Sequence, residues 1–255
     1  MNKYFEKKRK EEKIIKDEDI IKTVDEVIDS FTNYHIDKLI NKKIIKNING
    51  SISSGKESKI FWGKGWQDEE IAIKIYLTSA AEFKKSIREY ILGDPRFESI
   101  PNKFRSLIYL WAKKEFNNLK KMREVGVNVP DPKGVSGNIV VMQFIGENGY
   151  RAPLLYEIYK ELDDDAIDEI YNSIKNDIRK MVCDANLIHA DLSEFNIMYW
   201  NNKPYIIDVS QSVDIRHPKS LELLKRDLKN IREFFSKSII TEDFEEFEMG
   251  VTKCL

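Results

Sequence analysis

Residues 187–208 restrict the fold most, because they place three polar side chains at fixed intervals among short apolar runs. Asp191 and Asn196 lie five positions apart on one predicted loop, and Asp208 follows at the end of an apolar run. Turn-forming residues at 200–204 stand between the loop and that run. Two short strands joined by this turn would bring Asn196 and Asp208 together.

The chemistry that suits these side chains is phosphoryl transfer from ATP. Such a transfer needs a carboxylate that receives the proton of the incoming hydroxyl, and oxygen ligands for Mg²⁺. The D-x-x-x-x-N spacing puts a catalytic base, Asp191, and a metal-ligating amide, Asn196, on one loop, as in protein kinases. Asp208 would be the second metal ligand. A single aspartate in a turn is usually a surface residue, so the prediction depends on the combined spacing.

A lysine inside an apolar strand predicts the cation that contacts the nucleotide phosphates. Lys74 lies within the strand-like residues 71–76, a pattern typical of kinases. The long helix predicted at 103–125 carries Glu115 in the middle of its apolar face. Because a buried carboxylate needs a partner, we predict an ion pair between Lys74 and Glu115. Glu89 is the competing partner, on a shorter and less apolar segment.

The loop between the first two predicted strands is a candidate for binding phosphate. Hydroxyls, backbone N–H groups and a positive charge come from Ser53, Ser54, Gly55 and Lys56. The string G-x-x-x-x-G-K, which ends at Lys56, also resembles a Walker loop. We reject that interpretation because Glu57 replaces the Ser or Thr that would hold Mg²⁺, and a strand-like segment follows in place of a helix.

The order of predicted elements indicates an α+β fold with two lobes, like that of protein kinases. Residues 1–44 would form a basic tail and a helix, residues 45–145 a small β-rich N-lobe, and residues 146–255 a helical C-lobe. The cleft would lie near Gly146. We expect residues 78–102 to be a mobile connection, because they are polar and interrupted by Gly and Pro.

The stretch after Asp208 is too short for an activation segment and a peptide-binding subdomain. It has 47 residues, it lacks an A-P-E motif, and Val209-Ser210 stands where kinases carry Phe-Gly. Ala190 replaces the arginine of the usual H-R-D triplet. We therefore predict a kinase-like fold that lacks the activation segment and the peptide-binding subdomain.

Composition and charge exclude several other classes. The net charge of −1 gives no argument for DNA binding, although residues 1–16 hold seven Lys or Arg against three Glu and could contact RNA phosphates. No apolar run is long enough for a membrane span or a signal core, so we expect a cytoplasmic protein that does not bind membranes. Cys183 and Cys254 lack metal-ligand spacing, and we expect no disulfide framework.

Several strings together closely resemble the RIO family of atypical serine/threonine protein kinases, and within it the type-one subfamily. They are Ser53-Ser54-Gly55-Lys56-Glu57-Ser58, Ala72-Ile73-Lys74, Met142-Gln143-Phe144-Ile145-Gly146, Ile188-His189-Ala190-Asp191-Leu192-Ser193-Glu194-Phe195-Asn196 and Ile207-Asp208-Val209-Ser210-Gln211-Ser212-Val213. The resemblance runs from about residue 45 to the end. The preceding residues are too few for the winged-helix domain of the type-two subfamily, which favours type one.

The resemblance implies that ATP and Mg²⁺, or Mn²⁺, bind between the lobes. Met142, Gln143 and Ile145 would belong to the hinge that holds adenine. In this family the second metal-binding aspartate can take up phosphate, so the resemblance implies that Asp208 is a catalytic residue as well as a metal ligand. Gln143 stands where the family pattern leads us to expect Glu, and Ser58 where we expect Ala. Neither difference affects the predicted base or metal ligands.

The resemblance also implies autophosphorylation on serine, an additional ATPase activity and a role in maturation of the small ribosomal subunit, with precursor rRNA and protein as partners. The candidate acceptors are Ser79, Ser86, Ser99 and Ser106. Two alternatives stay open. One is a small-molecule kinase of the choline or aminoglycoside type, against which Ser193-Glu194 argues. The other is a binding module on pre-ribosomal particles that uses ATP as a conformational switch.

Overall fold

The computed structural model describes residues 29–78, 87–236 and 243–255 of the chain. The first described helix, α1, is Ser30–Asn41, and the side chain of Asp29 caps it by accepting a hydrogen bond from the Thr32 backbone. The start of the predicted N-terminal helix and the basic residues 1–16 lie outside the described residues. The same is true of Ser79 and Ser86.

The N-lobe is built on one five-stranded antiparallel sheet in the order β1-β2-β3-β5-β4. The strands are β1 Asn47–Ser54, β2 Ser58–Lys64, β3 Glu70–Tyr76, β4 Pro132–Ser136 and β5 Ile139–Gln143. In β3 the buried residues Ile71, Ile73 and Ile75 pack in a core shared with α1. Because neighbouring side chains in a strand alternate between faces, Lys74 and Tyr76 lie on the opposite face.

Helix α2, Phe104–Glu124, packs against that opposite face of the sheet. Its buried side chains include Leu107, Trp111 and Leu119, which confirms the apolar face predicted from helical spacing, and Glu115 is buried with them. The helix is followed by Gly126 with a φ of 78°, a left-handed conformation that suits glycine at a helix end. The helix therefore presents a buried carboxylate to the face of β3 that carries Lys74.

The described residues that follow β5 form the helical C-lobe. Its elements are β6 Gly146–Glu147, β7 Tyr150–Arg151, α3 Leu155–Ile158, α4 Asp164–Arg179, a π-helical turn Lys180–Asp184, β8 Leu187–Ile188, β9 Ile197–Trp200, β10 Lys203–Ile206, β11 Val213–Asp214, α5 Ser220–Phe235 and α6 Phe244–Thr252. A continuous hydrophobic core joins α2 to α4 and α5. Within the described ranges, no helix has the length and apolar character that crossing a membrane requires.

The described part of the connection between β3 and α2 packs on the C-lobe. The guanidinium of Arg96 forms an ion pair with Asp94 at 2.6 Å and donates to the carbonyl of Ser212 at 3.0 Å. The ring of His217 contacts the carbonyl of Leu92 at 2.9 Å. These contacts tie the described part of the connection to the C-lobe, and its mobility stays a prediction.

Cys183 and Cys254 form a disulfide, with their Cα atoms 5.1 Å apart, which corrects the expectation from sequence. The bridge ties the π-helical turn after α4 to the segment after α6 and spans a sequence separation of 71. A cross-link of this span restricts the unfolded chain, so Cys254→Ser should lower the unfolding free energy by about 2–4 kcal/mol. Denaturant unfolding with and without reductant measures this. Equal stability of the oxidised protein and the variant would contradict the prediction.

Candidate active site

A cleft of about 400 Å³ lies between the sheet and the C-lobe. The predicted site residues that line it come from both lobes: Ser53, Gly55, Lys74, Glu115, Met142, Gln143, Ile145, Asn196 and Asp208. Lys56 is exposed and is not among the lining residues. Ser54 ends strand β1, and its side chain lies outside the described part of the structure. The structure thus brings together most of the side chains that the sequence singled out.

The centre of the cleft is a lysine held between two carboxylates. The Nζ atom of Lys74 lies 2.7 Å from Oε1 of Glu115 and 2.8 Å from Oδ1 of Asp208. The side chains of Lys74 and Glu115 are only 7% and 2% exposed, whereas that of Asp208 is 50% exposed. The predicted Lys74–Glu115 ion pair is confirmed. The competing residue, Glu89, instead pairs with Lys219 on the surface.

The charges of this cluster stabilise one another. Burial alone would lower the pKa of Lys74, but the carboxylates of Asp208 and Glu115 outweigh it and hold that pKa well above its usual value. Burial alone would raise the pKa of Asp208, but the charge and hydrogen bond of Lys74, together with the hydrogen bond from Ser210, outweigh it and keep that pKa below the usual value. Lys74 and Asp208 are therefore both charged at neutral pH. The hydroxyl of Tyr76 also donates to Oε2 of Glu115 at 2.6 Å, so both oxygens of Glu115 are engaged.

The loop that carries Asp191 meets the turn that carries Asp208, as the spacing predicts. The side-chain amide of Asn196 donates to the Asp191 carbonyl at 2.8 Å and lies 3.5 Å from its Oδ2. Partial burial raises the pKa of Asp191, and the nearby charge of Asp208 raises it further. Asp191 therefore holds a proton more readily than a carboxylate in water, which suits a general base.

His189 braces the loop that carries Asp191. Its Nε2 atom lies 3.1 Å from the carbonyl of Ile207, the residue before Asp208. Burial lowers the pKa of His189 to about 4, so the ring is neutral at physiological pH. Because a carbonyl only accepts, the single ring hydrogen is on Nε2. His189 is therefore a structural link between the two halves of the site.

Helix α5 holds the catalytic loop by its backbone. The carboxylate of Asp227 accepts from the N–H groups of Ala190 at 2.7 Å and Leu192 at 2.9 Å, and Asn230 donates to the Leu192 carbonyl at 3.0 Å. Arg226 donates to the Ala190 carbonyl. Ala190 needs this support because its φ of 68° is unfavourable for a residue with a side chain. Asp227 therefore anchors the loop through its backbone, whereas sequence reasoning missed Arg226 and Asn230.

Replacement of Asp227 by alanine should both destabilise the protein and disturb the loop. The change leaves two buried N–H groups without an acceptor, so we expect the unfolding free energy to fall by at least about 2 kcal/mol. Denaturant unfolding measures the loss. Asp168→Ala, on the exposed side of α4, is the matched control and should be near neutral. Equal effects of the two substitutions would contradict the anchoring role.

The oxygens that face the cleft suit a hard divalent cation. Among the described residues, no hydrogen bond engages Oδ1 of Asn196 or Oδ2 of Asp208. Mg²⁺ is commonly held by one or two such side chains together with phosphate oxygens and water. In the described ranges, no three or more His, Cys, Asp or Glu side chains cluster in a way that could hold a metal ion. The amide and carboxylate thus fit a cation that binds together with a nucleotide.

Comparison with known proteins shows the family of this chain. The family model of the RIO domain matches residues 59–247. The chain belongs to the RIO family. It is 39% identical over 225 residues to serine/threonine-protein kinase RIO1 of Caenorhabditis elegans and 38% identical over 242 residues to that of Homo sapiens. These alignments cover 88% and 93% of this RIO chain, which spans only 44% and 42% of those relatives. A further relative, RIO-type serine/threonine-protein kinase Rio1 of Haloferax volcanii, is 36% identical over 238 residues, covering 93% of the chain and 80% of the relative.

Two solved structures share the fold of this RIO chain. The Rio2 kinase from Chaetomium thermophilum superposes with a TM-score of 0.64 at 22% identity, over 87% of this chain and 66% of that one. An ADP/Mg²⁺-phosphoaspartate complex of the same kinase superposes with a TM-score of 0.56 at 22% identity, over 89% of this chain and 68% of that one. At this level of identity the likeness establishes the fold. The predicted α+β fold with two kinase-like lobes is confirmed.

Proposed function

We propose that this RIO chain is an ATP- and Mg²⁺-dependent serine/threonine kinase. The observation that carries the proposal is the Lys74 ammonium, which joins Glu115 of α2 to Asp208 of the C-lobe within one cleft. Kinases use this arrangement to place a cation on the phosphates and a carboxylate on the metal. The names of the relatives, which are serine/threonine-protein kinases, support the same activity.

In the proposed reaction, adenine lies against residues 142–145, while Lys74 and the backbone of the loop at Gly55 bind the phosphates. Asn196 and Asp208 would hold Mg²⁺, which neutralises phosphate charge when bound. Asp191 accepts the proton of the acceptor hydroxyl while the oxygen of that hydroxyl bonds to the γ-phosphorus. The bond from that phosphorus to the bridging oxygen breaks, and ADP leaves.

The acceptor and the cellular setting are also proposals. Ser99 and Ser106, which are described, and Ser79 and Ser86, which are not, are acceptors for autophosphorylation. We further propose that the protein acts in the cytoplasm on a precursor of the small ribosomal subunit, through its rRNA and proteins. The excess of basic residues at 1–16 supports contact with RNA phosphates. Membership of the RIO family argues against a small-molecule kinase.

A second candidate activity is ATP hydrolysis through Asp208. Its carboxylate is half exposed in the cleft, and one of the two Rio2 structures is an ADP/Mg²⁺-phosphoaspartate complex. A carboxylate oxygen of Asp208 would bond to the γ-phosphorus as ADP leaves, and water would then cleave the acyl phosphate to release phosphate. This route needs the same nucleotide site but no serine.

Incubation with γ-labelled ATP and Mg²⁺ tests both activities. The kinase predicts acid-stable label on serine, located by mass spectrometry, whereas the Asp208 route predicts alkali-labile label and phosphate release. A panel of small alcohols in parallel tests the small-molecule alternative. A preparation that binds ATP but shows neither labelled serine nor ATP turnover would contradict the proposed function.

A further inference from the structure

Side chains of helix α2 form hydrogen bonds with the backbone of the turn that follows Asp208. The Nζ atom of Lys114 lies 2.7 Å from the carbonyl oxygen of Ser210 and 2.6 Å from that of Ser212. One turn further along the helix, the side-chain amide of Asn118 donates to the carbonyl of Val209 at 2.8 Å. Two side chains at positions i and i+4 thus bind three carbonyls of one short turn, the 3₁₀ segment Val209–Gln211 and its end.

Arg96, from the segment that packs on the C-lobe, completes this group. It donates to the Ser212 carbonyl at 3.0 Å and to Oδ1 of Asn118 at 2.7 Å, and Asp94 orients it. Lys114 and Asn118 are 1% and 0% exposed. Since water cannot replace these donors, loss of Lys114 would leave the Ser210 carbonyl without a hydrogen bond from the described residues. Loss of Asn118 would leave the Val209 carbonyl only the backbone hydrogen bond from Ser212 within its own turn, at 3.2 Å.

The turn needs such contacts because of the conformation of Asp208. Its φ of 56° and ψ of 55° are left-handed, which costs a residue with a side chain on the order of 1–2 kcal/mol. The hydroxyl of Ser210 donates to Oδ1 of Asp208 at 3.0 Å, so the orientation of the carboxylate depends on the same turn. A turn released from α2 would be free to relax and to redirect the carboxylate.

We propose that Lys114 and Asn118 are positioning residues that hold the Asp208 turn in the conformation in which its carboxylate binds a divalent cation. The inference rests on the proposed function, in which Asp208 is a metal ligand. Lys114 and Glu115 are neighbours in α2. Lys114 binds the backbone of the Asp208 turn, and Glu115 binds the ammonium of Lys74. Movement of this one helix would disturb both contacts together.

The chain provides matched pairs of variants for the test. Lys114→Met and Asn118→Leu remove the donors at nearly constant volume, while Lys113→Met and Asn117→Leu make the same changes on the exposed side of α2. Mn²⁺ binding is measured by electron paramagnetic resonance with a non-hydrolysable ATP analogue present. We expect Mn²⁺ to bind about tenfold more weakly to each buried variant. Metal-free binding of the analogue should be unchanged, and the Mg²⁺ concentration for half-maximal ATP turnover should rise in proportion.

The outcomes separate the two proposals. Mn²⁺ affinities equal to those of the exposed controls would overturn the inference, and so would a loss of metal-free nucleotide binding in parallel, which indicates a general structural defect. If thermal unfolding shows that Lys114→Met does not fold, the test uses the second pair. The Mn²⁺ affinity of Asn118→Leu is then compared with that of Asn117→Leu. An unaltered protein that transfers no phosphate, while the variants still differ in Mn²⁺ affinity, would remove the proposed function and leave the positioning role standing.

Discussion

Asp191→Asn is expected to lower ATP-dependent phosphorylation by about 10²–10⁴-fold, the range usually contributed by a positioned general base. The amide keeps the shape of the side chain but cannot take the proton of the acceptor hydroxyl. Nucleotide binding should be unchanged, because Asp191 is not among the residues that line the cleft around the phosphate loop and hinge. Initial rates of label incorporation, together with ATP binding by calorimetry, measure the two quantities.

Asp168→Asn on the outer surface of α4 is the control, since it makes the same chemical change far from the cleft. Its phosphorylation rate should equal that of the unaltered protein. Full serine phosphorylation by Asp191→Asn would show that another group accepts the proton. Loss of labelled serine with continued phosphate release would instead favour the route through Asp208, which needs no base for a serine hydroxyl.

The pH dependence of the rate provides a second check on Asp191. Its pKa is raised above the usual 3.8, first by partial burial and then by the charge of Asp208. A base acts only when ionised, so the rate should fall as the pH drops through this raised pKa. The acidic limb of the kcat/KM profile is therefore expected above pH 3.8. A rate that is flat down to that pH would contradict the assignment.

The parts of the site that were predictable from sequence depend on short-range spacing or on a strong burial rule. Asp191, Asn196 and Asp208 are brought together by one loop and one hairpin, so their spacing largely determines their proximity. Lys74 and Glu115 are far apart in sequence, but each is an ionised group on an apolar face and needs a partner. Such requirements can be recognised without knowing the fold.

The remaining contacts could not be predicted because their partners are backbone groups or distant segments. Every residue has a backbone carbonyl, so the sequence does not show which carbonyls need a side-chain donor. The contacts of Arg226 and Asn230 with the catalytic loop could therefore not be recognised. Lys114 and Asn118 did give a signal, because helical spacing puts both on the buried side of α2 near Trp111. The disulfide depends on the packing of α6 near the end of α4, which local patterns do not specify.

Lys74→Met should destabilise the protein and abolish phosphoryl transfer together. Its removal leaves Glu115, 2% exposed, as a buried charge without its cation, and breaking such a pair costs about 3–5 kcal/mol. The hydroxyl of Tyr76 still donates to Glu115, so the lower end of this range is expected. Denaturant unfolding measures the loss. The control is Lys64→Met, which breaks a more exposed pair with Glu70 and should cost no more than about 1 kcal/mol.

The double variant Lys74→Met/Glu115→Gln separates stability from catalysis. Replacing the carboxylate by an amide removes the unpaired charge, so most of the lost unfolding free energy should return, which gives a large coupling in the double-mutant cycle. Phosphoryl transfer should stay abolished, because the phosphates still lack the Lys74 ammonium. A double variant no more stable than Lys74→Met would show that the cost came from lost packing around the lysine and not from the charge of Glu115. Recovery of transfer in the same variant would show that the phosphates do not need Lys74.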